Sequence, residues 1–118
     1  MLKKLAMIFA FALLATPSFA AETAYFSAMN DLPMMQGMVE QPADTVIFDK
    51  PAGRIVEFSA TTATPEKDVL GFYDRCLPPL GWKEIKKGVF VRAHEKLKMS
   101  FGRSAGETLV DFSVTPDD

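Results

Sequence analysis

Thr64-Pro65-Glu66-Lys67-Asp68-Val69-Leu70-Gly71-Phe72-Tyr73-Asp74-Arg75-Cys76-Leu77-Pro78-Pro79 carries the clearest helical pattern in the chain. Val69, Phe72, Tyr73, Cys76 and Leu77 recur at three- and four-residue spacing and form one apolar stripe. Lys67, Asp74 and Arg75 lie away from it. Thr64 offers a capping hydroxyl, Pro65 suits the first helical position, and Glu66 and Asp68 complement the positive end of the helix dipole. Pro78-Pro79 stops the helix, because proline has no N–H for the ladder. Gly71 costs a helix interior about 1 kcal/mol relative to alanine, which predicts a close neighbour at that position.

Strand patterns lie on both sides of this helix. Before it, residues 45–48 (Thr-Val-Ile-Phe) are β-branched and aromatic, and Asp49-Lys50-Pro51-Ala52-Gly53 has the composition of a turn. Residues 54–62 then alternate, with Val56, Phe58 and Ala60 on one face and Glu57 and Ser59 on the other. After the helix come strands at 82–85 and 89–94, separated by Lys86-Lys87-Gly88. Val89, Val91 and Ala93 form the expected inward set, and Glu95-Lys96 reads as the next turn. Leu97, Met99 and Phe101 alternate with Lys98 and Ser100, and Val110, Phe112 and Val114 alternate with Asp111 and Ser113. The predicted fold is α+β: an antiparallel sheet of about five to six short strands, in the order ββαββββ, with one helix on one face. One helix cannot cover both faces of such a sheet. The other face is therefore expected to be partly open, unless the N-terminal segment, with Leu32, Met34, Met35 and Met38, covers it or the sheet edge. Ile55, Phe90 and Leu109 are the expected outward apolar residues and the candidate partner contacts.

The chain of 118 residues has room for one domain. Its first twenty residues differ in kind from the rest. Lys3 and Lys4 precede an apolar run at 5–15, and Pro17 with the small residues Ser18 and Ala20, three before and one before a cut, complete the three-part pattern of a secretory signal. The run is too short to span a bilayer as a helix. Cleavage is expected after Ala20 or Ala21, with a periplasmic or secreted product of a bacterial cell and no membrane span remaining. Loss of residues 1–20 removes two of 13 basic residues and none of the 15 acidic ones, so a 98-residue product carries 11 against 15 and a net charge of −4. That balance argues against nucleic-acid binding, which needs a basic patch. Residues 21–44 lack periodicity and are expected to be flexible or irregular, with the α+β domain at 45–116.

Catalytic chemistry is sparse. His94 is the only histidine and Cys76 the only cysteine, so no internal disulfide and no conventional zinc site can be assembled from one chain. Cys76 lies on the apolar stripe and is expected to be a small buried hydrophobe. A Cys76–His94 couple is the alternative nucleophile, although His94 falls out of phase with the inward set. No cofactor motif is present. Met29, Met34, Met35 and Met38 cluster in the N-terminal segment. Thioethers select Cu(I), so Met34, Met35 and Met38 are candidate metal ligands. The alternative is that they fill an irregular gap in the core.

Three stretches taken together resemble a family of small exported bacterial proteins of unknown function. They are Asp31-Leu32-Pro33-Met34-Met35 with Gly37, then Phe48-Asp49-Lys50-Pro51-Ala52-Gly53-Arg54-Ile55, then Leu70-Gly71-Phe72-Tyr73 leading to Leu77-Pro78-Pro79-Leu80-Gly81-Trp82. The resemblance spans roughly residues 31–115. It implies the fold and the exported compartment, and it carries over no catalytic residue. The expected function is therefore a non-catalytic interaction or accessory module of the cell envelope. The alternative is a small-ligand or Cu(I)-binding protein that uses the methionine cluster.

Overall fold

The computed structural model describes residues 23–117. The signal expected at 1–20, with its cleavage site, lies outside the described residues. The chain runs β1 (Ala24–Tyr25), β2 (Pro33–Met34), β3 (Val39–Glu40), β4 (Val46–Lys50), β5 (Gly53–Thr62), α1 (Glu66–Cys76), β6 (Lys83–Lys86), β7 (Val89–Arg92), β8 (Glu95–Ser104) and β9 (Glu107–Pro116). Single 3-10 turns lie at Pro42–Asp44 and Pro78–Leu80. The fold is α+β, with one helix against an antiparallel sheet. From β4 onward the element order is the predicted ββαββββ.

The main sheet is ordered β3–β5–β9–β8–β7–β6, and β4 follows β3 along the same edge of β5. Four hairpins with two-residue loops build it. β4 and β5 close through Pro51-Ala52, with Lys50 opposite Gly53. Gly53 has φ +142°, and a Cβ there would stand 3.0 Å from Pro116 Cγ, so both the turn and the approach of the C-terminus need glycine. β8 and β9 are ten residues each and pair along their whole length to Ser104–Glu107. They are longer than the short strands expected, because residues 102–104 and 107–109 zip up across a two-residue loop. That loop, Ala105-Gly106, has both φ angles positive, which matches the right-handed twist of the flanking strands.

Alternation along the strands builds the core. Val56, Phe58 and Ala60 of β5, Leu97 and Met99 of β8, and Val110, Phe112 and Val114 of β9 are buried together with Val69, Tyr73 and Leu77 of α1. Phe72 and Cys76 flank that stripe and are half-buried. The helix begins one residue later than its capping pattern implies. Pro65 occupies the cap position, no side chain caps the helix, and the Thr64 N–H instead donates to Thr62 Oγ1 at 3.2 Å.

Three expectations are corrected. First, Phe90 faces the core and is fully buried, so it is no partner contact. Its cross-strand neighbour is Leu97, and Val89 and Val91 pair with Lys98 and Lys96 on the opposite face. Val89-Phe90-Val91 is apolar at every position, so its phase cannot be read from alternation; the pairing decides it. Second, the β7–β8 turn is Ala93-His94, two residues earlier than Glu95-Lys96. Both residues have positive φ (45° and 71°) without glycine, so composition did not mark the turn. Third, the core does not start at Thr45. Phe26 and Leu32 are fully buried, and the Phe26 ring lies 5.0 Å from Phe58 and 4.9 Å from Phe112. The Tyr73 hydroxyl donates to the Pro33 carbonyl at 2.7 Å. The N-terminal segment thus covers the helix side of the sheet beside α1 and leaves the opposite face open.

Candidate functional site

Of the candidate partner contacts, two lie on the open face. Ile55 is half-buried there and pairs with Phe48 of β4. Leu109 is half-buried and pairs with Thr61 and Gly102. Six residues of β5 separate the partners of these two sites, about 20 Å of strand. They therefore form two patches rather than one. Between them the open face is polar: Glu57, Ser59, Ser100, Asp111, Ser113 and Asp44 line a shallow hollow of about 500 Å³. Ser59 donates its hydroxyl to Asp111 Oδ1 at 2.5 Å.

The patch around Ile55 continues onto the sheet edge. Val46, Ile47 and Phe48 are 46 %, 49 % and 43 % exposed. Large apolar side chains that open to water on a strand with an unpaired side are unusual, because such an edge templates pairing with another chain. Sequence reading placed a strand here and did not identify it as an edge. The signal was present: three consecutive apolar residues put bulk on both faces, which fits either a fully buried strand or an edge awaiting cover.

The other edge of the sheet is built differently. β6 reads Lys83-Glu84-Ile85-Lys86 and is exposed throughout. Its register to β7 shifts between Glu84 and Lys86. Lysines and an irregular register are standard protections against edge pairing. Lys87 follows and holds Asp74 of α1 at 3.0 Å, an ion pair that raises the Lys87 pKa. Thus one edge is guarded by charge and the other is apolar.

Met34, Met35 and Met38 do come together. With Phe72 and Gly37 they line a hollow of about 390 Å³ beside α1. Met38 is largely buried, and its sulfur lies 3.8 Å from the Tyr73 hydroxyl, whose proton goes to the Pro33 carbonyl. Among the described residues, no group of three His, Cys, Asp or Glu side chains is placed to hold a metal ion.

Cys76 and His94 are held apart in role. Cys76 is half-buried near the end of α1, and burial pushes its thiol pKa up to about 11, so the nucleophilic thiolate is disfavoured at neutral pH. His94 is exposed in the β7–β8 turn, and its carbonyl accepts the Asp117 N–H at 2.6 Å. No hydrogen bond joins the two side chains.

Arg92 is the most connected cation in the described structure. It donates to Asp31 Oδ2 at 2.7 Å and to the Leu80 carbonyl at 3.2 Å, and its guanidinium lies 4.3 Å from the Trp82 ring centroid. It ties the N-terminal segment and the helix exit to β7, which is a structural task. Among the described residues, no helix is long and apolar enough to cross a membrane. No protein-family model, curated protein or solved structure matches the chain.

Proposed function

We propose that this protein is a non-catalytic interaction module of the bacterial envelope, exported by its N-terminal signal, and that it binds a protein partner by strand addition at β4. The observation that carries this reading is the asymmetry of the two sheet edges. β6 is lysine-rich with an irregular register, whereas β4 presents Val46, Ile47 and Phe48 to solvent. Backbone hydrogen bonds supply affinity in strand addition, and flanking side chains supply selectivity. Ile55, next to Phe48 on the open face, extends the apolar contact. The test is a photo-crosslinking side chain at Ile47, compared with one at Ile85 on the guarded edge, in growing cells. A discrete adduct at Ile47 and none at Ile85 is expected. Equal adducts at both edges, or none at Ile47, would sink the reading.

A second reading is favoured by one observation. Met34, Met35 and Met38 share a hollow, and thioethers suit Cu(I). Competition for Cu(I) against a weak chelator, lost when Met34 and Met35 are both replaced by leucine, would support it. No competition by the wild-type protein would exclude it.

A further inference from the structure

The ladder behind β4 determines which of its backbone groups face outward. The Gln41 N–H donates to the Ser59 carbonyl at 2.9 Å, so Ser59 turns its backbone groups toward the β3–β4 edge. Direction alternates along a strand, so Glu57, Ile55 and Gly53 turn theirs the same way, onto Val46, Phe48 and Lys50. The hairpin agrees, because a two-residue loop makes its flanking pair, Lys50 and Gly53, a hydrogen-bonded one. Thr45, Ile47 and Asp49 therefore direct their N–H and C=O groups away from the sheet. The Thr45 N–H is taken by the Pro42 carbonyl at 3.1 Å. For the others, no strand lies beyond β4 among the described residues.

We infer that the partner at this edge is a second copy of this chain, its β4 antiparallel to the first across a twofold axis at Ile47. The inference rests on the strand-addition reading above and names the partner. In this register the Ile47 N–H of each copy donates to the Ile47 carbonyl of the other. The Asp49 N–H of each donates to the other copy's Thr45 carbonyl, the group whose own N–H is already engaged. On the open face Val46 meets the other copy's Phe48. Lys50 is brought toward the other copy's Asp44, an attraction made twice by the symmetry. Four neighbouring antiparallel registers use the same outward groups. One centred on Asp49 sets two carboxylates directly opposite, which is repulsive. One centred on Thr45 needs an N–H that Pro42 holds. An axis through Val46 needs the same Thr45 N–H. An axis through Phe48 pairs Ile47 with Asp49 but sets Lys50 opposite Val46 instead of Asp44, so charge favours the Ile47 register, in which strand β4 is complementary to itself.

The contact is a single strand pair, at the small end of stable interfaces, so association is weak. The test is sedimentation equilibrium of the full-length gene product, purified in the form its cell accumulates, from about 10 µM to about 1 mM. The expected result is a mass rising from one chain toward two. Ile47→Pro removes an outward N–H and no ladder bond, so it should abolish the rise while the circular dichroism spectrum is retained. Asp44→Lys and Lys50→Asp each set like charges opposite, and each should weaken self-association at least about tenfold. An equimolar mixture of these two variants restores both attractions and should associate. This arm stands even if Ile47→Pro does not fold. Mass that stays at one chain throughout overturns the inference, as does a dimer indifferent to Ile47→Pro, or a mixture that fails to recover. A monomer that still gives an Ile47-specific adduct with another protein in cells overturns the second copy alone and leaves strand addition standing.

Discussion

Gly71 sits in the middle of α1, where its cost predicted a close neighbour. A Cβ at that position would meet only Arg75 Nη1, at 3.3 Å, the far end of a flexible and exposed side chain. The helix therefore bears the entropic cost of glycine with no rigid contact that demands it. Gly71→Ala should stabilise the domain by about 1 kcal/mol, read from the midpoint of chemical denaturation. A loss of stability would show that Arg75 cannot move aside. Phe90 teaches a related lesson. Its side chain is among the best buried, yet it was placed outward, because its two neighbours are valines and no polar residue sets the phase. Cys76, expected to be buried on the stripe, flanks it half-buried, and that partial burial still favours the protonated thiol.

At the level of elements, helices and alternating strands were legible and the irregular segment was not. Residues 23–40 show no period because they pack by single anchors. Phe26, Leu32 and Met38 are buried, and Pro33 accepts the Tyr73 hydroxyl. Phe26, Phe58, Phe112 and Tyr73 make one continuous set of ring contacts, with neighbouring centroids 4.9–5.6 Å apart. This segment is a part of the core that only tertiary contact orders. Tyr73→Phe keeps the ring and removes the hydroxyl, which leaves the buried Pro33 carbonyl without that donor. It should cost about 1–3 kcal/mol. In addition, limited proteolysis should cut residues 23–40 sooner than β8 or β9. Unchanged stability and an unchanged digestion pattern would mean the hydroxyl is not what pins the segment. The β7–β8 turn escaped notice for a different reason. Ala93 and His94 adopt positive φ because two paired strands force them to, and neither residue announces it.

Across the whole molecule, the open face and the two sheet edges define what the protein offers to others. A single helix plus the N-terminal segment is enough to cover one side of a seven-stranded sheet. The exposed side is polar at its centre, with Ile55 and Leu109 at separate ends. Ile55 and Leu109 thus lie on the open face as expected, and Phe90 does not. The contrast between a lysine-bearing β6 and an apolar β4 emerges only when strand order is known, since neither sequence states which strands lie outermost. What the sequence by itself determined was local: helix limits from prolines and an apolar stripe, and strand faces where polar and apolar residues alternate. Tertiary structure alone decided the phase of Val89-Phe90-Val91, the docking of Phe26 and Leu32, and the edge position of Val46-Ile47-Phe48. The physical reason is the same for all three. A period reports which face of an element is apolar, but burial of a uniformly apolar or aperiodic stretch depends on which other surface reaches it, and the pairing of distant strands sets that.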